Sequence, residues 1–187
     1  MAHSLLPIGS LTPWNLKTPT AICPTQIQDW LYDHSSLTLK LESFPNKFSV
    51  QIKQQVKIKP NKQLSGYFNH VQNILVREVL LCLDKIPVVF AQTEIPGSTL
   101  ADTQADTQAN LSEIGNNSLG KILFQDPSMR RDKIEVTSFS AGSVLHNFCQ
   151  EIEQNTDKTL WARRSLFYIN NKPLLVSELF LPALGLY

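Results

Sequence analysis

The sequence predicts a fold in which short helices accompany an antiparallel β-sheet. The main observation is an internal similarity between residues 76–96, VREVLLCLDKIPVVFAQTEIP, and residues 162–182, ARRSLFYINNKPLLVSELFLP. Each stretch contains an apolar strand, a polar two-residue turn and a second apolar strand that ends in proline, which is the pattern of a β-hairpin. We therefore expect two equivalent hairpins in one antiparallel sheet.

Two other stretches support this prediction. From Phe48 to Ile58, apolar and polar residues alternate, which predicts strands with breaks near Pro45 and Gln54. After Pro24 the spacing of apolar residues becomes helical, which predicts a short amphipathic helix. The apolar residues of this helix are Ile27, Trp30 and Leu31.

Three segments carry weaker patterns. Residues 1–22 are rich in proline and predict an N-terminal strap that lies over the domain. Residues 97–120 are polar and include the repeat ADTQADTQ, which indicates a variable loop followed by short helical turns. Residues 138–159 form a second polar stretch, a variable insert with one helix. Neither polar stretch has the pattern of a second domain, so we expect a single domain over residues 1–187.

The composition excludes several classes of protein. The chain has 187 residues, of which 42% are hydrophobic and 18% charged, as is typical of a soluble globular domain. Its net charge of +1 provides no overall field that would attract nucleic acid or an acidic membrane. The N-terminus lacks the features of a signal peptide, and no apolar run reaches the length of a spanning helix. We expect a cytoplasmic monomer with no nucleic-acid partner and no membrane insertion.

The cysteines and histidines show no pattern of metal ligands. The cysteines are odd in number and widely spaced, which predicts reduced thiols rather than disulfides or a zinc site. They are Cys23, Cys82 and Cys149. The histidines also lack ligand spacing, so we expect them at the surface or in loops, and we expect no metal site. They are His3, His34, His70 and His146.

Glu178 is the main anomaly of the chain, because it lies within the otherwise apolar segment 172–187. An ionised glutamate is rarely buried without a partner. A turn centred between Asn170 and Asn171 places Arg163 opposite Glu178 across the second hairpin. Glu178 then projects from an apolar face, which indicates either a buried ion pair or the wall of a pocket.

Arg77 presents a similar anomaly in the first hairpin. The same centring of the turn places Arg77 opposite Gln92. Alternation puts Arg77 on one face with Val79, Leu81 and Leu83, so a positive charge also projects from an apolar face. The sequence thus predicts two charges at positions that favour burial.

Several segments together resemble the chorismate lyase family. They occur in the family's order, span roughly residues 26–187 and are interrupted mainly at 101–117 and 138–159. The matching segments are IQDWL, LVREVLLCLDKIPVVFAQTEIPGSTL, SLGKILF, MRRDKIEV, LWARRSLF and KPLLVSELFLPALGLY. The resemblance implies an α+β fold with an antiparallel sheet of about six strands, in which helices and flap segments enclose an internal ligand site.

The resemblance also implies an activity. The family's reaction eliminates pyruvate from chorismate to give 4-hydroxybenzoate, the first committed step towards the ubiquinone ring. It implies no metal or cofactor, and inhibition by the product. The expected ligands are therefore chorismate, 4-hydroxybenzoate and pyruvate.

The family's functional residues carry over to four positions. Arg77 would bind the substrate carboxylate, and Glu178 would contact the region of the ring hydroxyl. Leu119 in SLGKILF matches a flap position that touches the ligand through its backbone, and Leu37 in SSLTLKL matches a flap contact that is commonly Met in the family. We expect Arg163 to act through Glu178, as its partner, rather than to contact the ligand itself.

The sequence leaves several residue roles and two other functions open. Glu178, surrounded by apolar residues, could be protonated and act as a general acid, or Arg163 could hold it ionised for orientation or proton acceptance. Arg131 could be structural or functional, while Arg164 is expected to form a structural pair. The same fold also serves ligand-sensing domains of bacterial transcription regulators, and a lyase-like chain without activity is a third alternative.

Overall fold

The computed structural model describes residues 8, 13–17, 23–60, 66–68, 71–106, 111, 114–115 and 117–187, with the backbone alone for 102–106. The strands are β1 (Phe48–Ile58), β2 (Ile74–Leu83), β3 (Ile86–Pro96), β4 (Arg130–Phe139), β5 (Leu160–Ile169) and β6 (Lys172–Phe180). The helices are α1 (Thr25–Leu31), α2 (Leu37–Glu42), α3 (Gly97–Asp106), α4 (Leu119–Gln125) and α5 (Val144–Glu151), and a 3₁₀ turn at Pro182–Leu184 follows β6.

The strands form one six-stranded antiparallel sheet in the order β1-β2-β3-β6-β5-β4. The predicted α+β class and the sheet of about six strands are confirmed. The two predicted hairpins, β2-β3 and β5-β6, lie side by side in the sheet because β3 pairs with β6. The charged positions of both hairpins are thereby brought to the middle of the same sheet.

Both hairpins turn through two residues with positive φ. Asp84 and Lys85 have φ of 49° and 69°, and Asn170 and Asn171 have φ of 48° and 62°. Two consecutive residues with positive φ are the requirement of a type I′ turn, whose twist matches that of the flanking strands. The polar residues at both turns therefore set where each hairpin reverses.

The register of the second hairpin is the predicted one. Arg163 lies opposite Glu178 in the β5-β6 pair, and the neighbouring pairs agree with a turn centred between the two asparagines. Since side chains of directly opposed residues share one face, this register alone brings the two charges together.

The predicted register of the first hairpin is wrong by one residue. Arg77 lies opposite Thr93 rather than Gln92, because the pairing shifts between Leu81 and Cys82. A bulge adds one residue to one strand and moves every pair beyond it. The face occupied by Arg77 is unchanged, since alternation along β2 continues through it.

Other predictions had mixed outcomes. The break expected near Gln54 is a register shift inside one continuous strand, β1. The loop expected from residue 97 is wrong, because α3 begins at Gly97, and Thr99 anchors its first turn by donating to the carbonyl oxygen of Pro173 at 2.8 Å. The helix expected in 138–159 is confirmed as α5, and the strap at 1–22 lies largely outside the described residues.

The sheet has a covered face on each side. We call the face that bears Arg77 and Glu178 the site face, and the opposite face, which bears Arg164, the reverse face. Helices α1 to α4 pack on the site face, where Trp30 meets Phe180 edge to face at 6.0 Å between ring centroids. Helix α5 packs on the reverse face. Both faces therefore lie in a buried environment, and polar side chains on either face must find partners there.

Candidate functional site

A cavity lies between the site face and helices α2 and α4, which we call the flap helices. The space that the centre of a water molecule can occupy in it is about 50 Å³. Side chains from all six strands form the floor, and the flap helices form the roof. Its apolar lining includes Leu37, Val79, Leu119, Phe167 and Val176. A mostly apolar chamber with a few polar groups is typical of a site for a small molecule.

An ion pair between Arg163 and Glu178 forms part of the cavity wall. Arg163 Nε donates to Glu178 Oε2 at 2.5 Å, and the two side chains are 2% and 14% exposed. Arg163 Nη1 also donates to the carbonyl oxygens of Trp30 and Asp33, each at 2.7 Å. Arg163 is therefore the partner of Glu178 across the hairpin that the register predicted.

Arg77 lies in the middle of β2 and is 2% exposed. Its Nη2 donates to the carbonyl oxygens of Gly115 and Asn117 at 2.9 and 3.1 Å, just before α4. Among the described residues, none accepts a hydrogen bond from its buried Nε, and burial lowers the pKa of the guanidinium. Because a buried donor without a partner costs free energy, this Nε is suited to an anionic group of a ligand.

Arg131, at the start of β4, also lines the cavity. Its Nε donates to Ser165 Oγ at 3.0 Å and its Nη1 to the carbonyl oxygen of Asp33 at 3.3 Å. Burial, together with the charge of Arg163, lowers the pKa of Arg131 to about 10, while Glu178 and Asp33 act in the opposite direction. The side chain is therefore a cation at neutral pH.

The flap helices contact each other through small polar residues. The hydroxyls of Thr38 in α2 and Ser118, the N-cap of α4, are hydrogen-bonded. A Cβ on Gly120 would lie 2.6 Å from Thr38 Oγ1, so only glycine permits this approach without a shift. We call this arrangement the flap contact.

The residues predicted for the site all line this one cavity. They are Arg77, Leu37, Leu119, Arg163 and Glu178. Their roles towards a ligand stay predictions. The sequence left Arg131 undecided because its side of the sheet depends on the β4-β5 register, which shifts after Arg131. The flap contact was missed because it joins residues 80 positions apart, and no local pattern reports such a pair.

The two described histidines differ in exposure to solvent. His146 is 4% exposed within α5, where its ring contacts Ser143 Oγ and the carbonyl oxygen of Lys158, so the predicted surface or loop position is wrong for it. Both ring nitrogens have partners, which makes its burial tolerable. His34 is exposed as predicted, and His3 and His70 lie outside the described residues.

All three cysteines are buried. No cluster of three or more His, Cys, Asp or Glu side chains in the described part of the chain could hold a metal ion. None of the described helices combines the length and the apolar character that crossing a bilayer requires.

A row of polar residues crosses all six strands on the reverse face. We call it the reverse-face row: Gln54, Glu78, Gln92, Ser177, Arg164 and Glu135. Gln54 and Gln92 donate to the two carboxylate oxygens of Glu78 at 2.7 and 2.6 Å, and Arg164 Nε donates to Glu135 Oε2 at 2.8 Å. The sequence predicted only the pairing of Arg164.

The fold and the cavity define a class, a single-sheet α+β domain with an enclosed site lined by arginines, which is suited to a small anion. The chain belongs to the chorismate lyase family: the profile of that family, described as Chorismate lyase, matches residues 10–187. A protein named probable chorismate pyruvate-lyase from Psychromonas ingrahamii is 53% identical over 188 residues, which cover 100% of this chain and 99% of that protein. One of the same name from Shewanella loihica is 37% identical, over 94% of this chain and 90% of that protein.

Solved structures share the fold at low sequence identity. The effector domain of PhnF from Mycobacterium smegmatis has a TM-score of 0.57 at 10% identity, over 80% of this chain and 90% of that one. The C-terminal domain of the histidine utilization repressor from Pseudomonas syringae has a TM-score of 0.52 at 8% identity, over 73% and 93%. At these identities the likeness concerns the fold alone.

Proposed function

We propose that this protein is a lyase that eliminates pyruvate from chorismate and releases 4-hydroxybenzoate, the first committed step towards the ubiquinone ring. The observation that carries the proposal is that Arg77 and the Arg163–Glu178 pair line one enclosed cavity in a chain of the chorismate lyase family. The names of the 53% and 37% identical relatives support the same substrate.

The reaction makes limited chemical demands on the protein. The bond between ring carbon C3 and the ether oxygen breaks, and its electron pair leaves with the enolpyruvyl group as the enolate of pyruvate, which then takes up a proton. The proton on C4 is lost, and the electrons of that C–H bond complete the aromatic ring. Because aromatisation supplies the driving force, the protein mainly has to hold the dianion in a reactive conformer and accept one proton.

The cavity provides a group for each task. Arg77 binds the ring carboxylate through the planar fork of its guanidinium, to which its unpartnered Nε contributes. Glu178, held as a carboxylate by Arg163, accepts the proton from C4. The apolar lining and the flap helices exclude water from the reacting atoms.

An enclosed site also predicts the slow step. The flap helices have to separate for product to leave, so release of 4-hydroxybenzoate limits turnover rather than the elimination. Rapid mixing of the protein with chorismate should produce a burst of 4-hydroxybenzoate equal to the concentration of active sites. Linear product formation from the first turnover would contradict this expectation.

The test of the function is direct. Purified protein incubated with chorismate should form 4-hydroxybenzoate and pyruvate in equal amounts. Binding of 4-hydroxybenzoate without any turnover of chorismate would instead indicate a ligand sensor or a lyase without activity. The absence of both binding and turnover would reject the site as a chorismate site altogether.

A further inference from the structure

The formal charges around the cavity do not cancel. Among the described residues that line it, the ionisable side chains are Arg77, Arg131, Arg163 and Glu178. Glu178 compensates Arg163 at 2.5 Å, which leaves Arg77 and Arg131 without a carboxylate partner in that lining. Since charges interact strongly where water is excluded, a chamber with two uncompensated cations is complementary to a ligand with two negative charges.

The carboxylate of Asp33, a residue that contacts Arg131, does not change this balance. Asp33 accepts from Arg131 only through its carbonyl oxygen, while its carboxylate is paired with Lys40 Nζ at 2.7 Å. The two hydrogen bonds that Arg131 makes, to Ser165 and Asp33, orient its guanidinium. No described residue accepts a hydrogen bond from its Nη2, so that nitrogen is available to a ligand.

The strand order sets the order of the charges across the sheet. Arg77 is on β2, Glu178 on β6 and Arg131 on β4, and each step crosses two strand spacings of the sheet. With about 4.8 Å between neighbouring strands, each step spans about 10 Å across the sheet. Along the strands, Glu178 is offset by two residues from the level of Arg77 and by four from the level of Arg131. Glu178 therefore lies between the two uncompensated cations on the same face.

We propose that Arg131 binds the second carboxylate of a dicarboxylate substrate whose first carboxylate is bound by Arg77. The inference rests on the proposed function and deepens it. In chorismate, the ring carboxylate, the C4 position and the carboxylate of the enolpyruvyl arm follow the same order as Arg77, Glu178 and Arg131. The second carboxylate leaves with pyruvate, so Arg131 distinguishes substrate from product.

This assignment predicts a selective loss of binding. 4-Hydroxybenzoate has one carboxylate, while 3-(carboxymethoxy)-4-hydroxybenzoate carries a second on an ether arm and cannot eliminate pyruvate. Arg131→Gln should weaken the dicarboxylate about 10- to 100-fold, the effect of one charged hydrogen-bonded pair, and should raise KM for chorismate similarly. It should change the Kd of 4-hydroxybenzoate by less than about threefold. Arg131→Lys keeps the charge but not the planar fork, so its affinity for the dicarboxylate should lie between those of the wild type and Arg131→Gln.

The experiment is calorimetry of both ligands, with chorismate kinetics on the same proteins. Arg130→Gln is the matched control, because Arg130 is exposed and stacks on Tyr168 at 3.9 Å away from the cavity lining. Equal weakening of both ligands by Arg131→Gln, or weakening of neither, would overturn the inference even in an active enzyme. Selective loss of the dicarboxylate in a protein that does not turn over chorismate would support the inference and reject the proposed function.

Discussion

Arg163 and Arg164 are consecutive residues of β5, and their side chains point to opposite faces of the sheet. On the site face, Arg163 pairs with Glu178 at 2.5 Å, and on the reverse face, Arg164 pairs with Glu135 at 2.8 Å. Both arginines are almost fully buried. The two pairs thus share residue types and the bond from Nε to Oε2, and they differ in what surrounds them.

The reverse-face pair is enclosed by aromatic rings. The Arg164 guanidinium lies over Trp14 at 4.3 Å and over Tyr67 at 4.8 Å, and the Tyr67 hydroxyl donates to Glu135 at 2.6 Å. Burial and the bond to Glu135 raise the pKa of Tyr67 to about 12, so it remains a donor at neutral pH. The site-face pair instead borders the cavity, where Glu178 Oε1 has no described partner. The adjoining cavity, rather than the presence of a buried charge, distinguishes the pair that we propose to be reactive from the pair on the reverse face.

Replacing each of the two glutamates by glutamine gives the largest expected difference in kcat. Glu178→Gln should lower kcat about 10²- to 10⁴-fold, because an amide cannot accept the C4 proton. Glu135→Gln, the matching change on the reverse face, should leave kcat unaltered. The rate of 4-hydroxybenzoate formation measures both, with circular dichroism as the check on folding. A wild-type rate for Glu178→Gln would exclude proton transfer by this residue.

Removal of each arginine should separate the two pairs in stability. Arg163→Met leaves Glu178 buried without a cation and should lower the free energy of unfolding by about 3–5 kcal/mol. Arg164→Met should cost about 1–2 kcal/mol, since Glu135 keeps the Tyr67 donor and its side chain is 27% exposed. Urea unfolding gives both values. Equal losses would mean that the surroundings of the pairs do not matter.

The flap contact exists only on the site face, so its loss should affect the ligand rather than the fold. Gly120→Ala places a methyl group against Thr38 Oγ1 and should speed release of 4-hydroxybenzoate about tenfold, equivalent to one lost hydrogen bond. Gly97→Ala is the control, because its nearest neighbour would be the Asn73 oxygen at 3.6 Å.

A double-mutant cycle tests this cause. In a Thr38→Ala background the clashing oxygen is absent, so Gly120→Ala should add little to the release rate. Stopped-flow displacement of the product measures the rates. Additive effects of the two changes would show that the methyl group acts elsewhere.

The smallest expected effect concerns Glu94 on the reverse face. Glu94 is fully buried, and no other residue in the described part of the chain donates to its carboxylate oxygens. Burial raises its pKa well above the usual 4.5 despite the charge of Arg164. The fold then holds a proton that the unfolded chain has lost, so wild-type stability falls as pH rises from about 4.5 towards the folded pKa.

Glu94→Gln should remove this loss. The Tm of the variant should equal that of the wild type below pH 4 and exceed it by several degrees at pH 7, while kcat/KM stays unchanged. Thermal melts from about pH 4 to pH 8 measure the effect. Glu151→Gln, an exposed change on α5, should leave the curve in place. A parallel shift of Glu94→Gln at all pH values would contradict a proton-linked cause.

Local sequence patterns predict some features of the two faces and miss others. The Arg163–Glu178 pair followed from the sequence because a two-residue turn with asparagines sets the register, and alternation then sets the face. The same reasoning failed by one residue for Arg77, because the bulge after Leu81 leaves no signal in the apolar pattern. It also failed at 97–106, where a buried tertiary anchor at Thr99 accompanies a helix in a polar stretch.

The sequence by itself determined the two hairpins, their turns, and which residues of each strand share a face. These depend on alternation and on the φ preferences of turn residues, which act over a few positions. Only the tertiary structure decided that the hairpins pair through β3 and β6, that Arg131 reaches the same cavity from β4, and that Thr38 meets Ser118. The physical reason is that these contacts join distant parts of the chain, and their stability comes from the burial and packing of whole surfaces rather than from any local pattern.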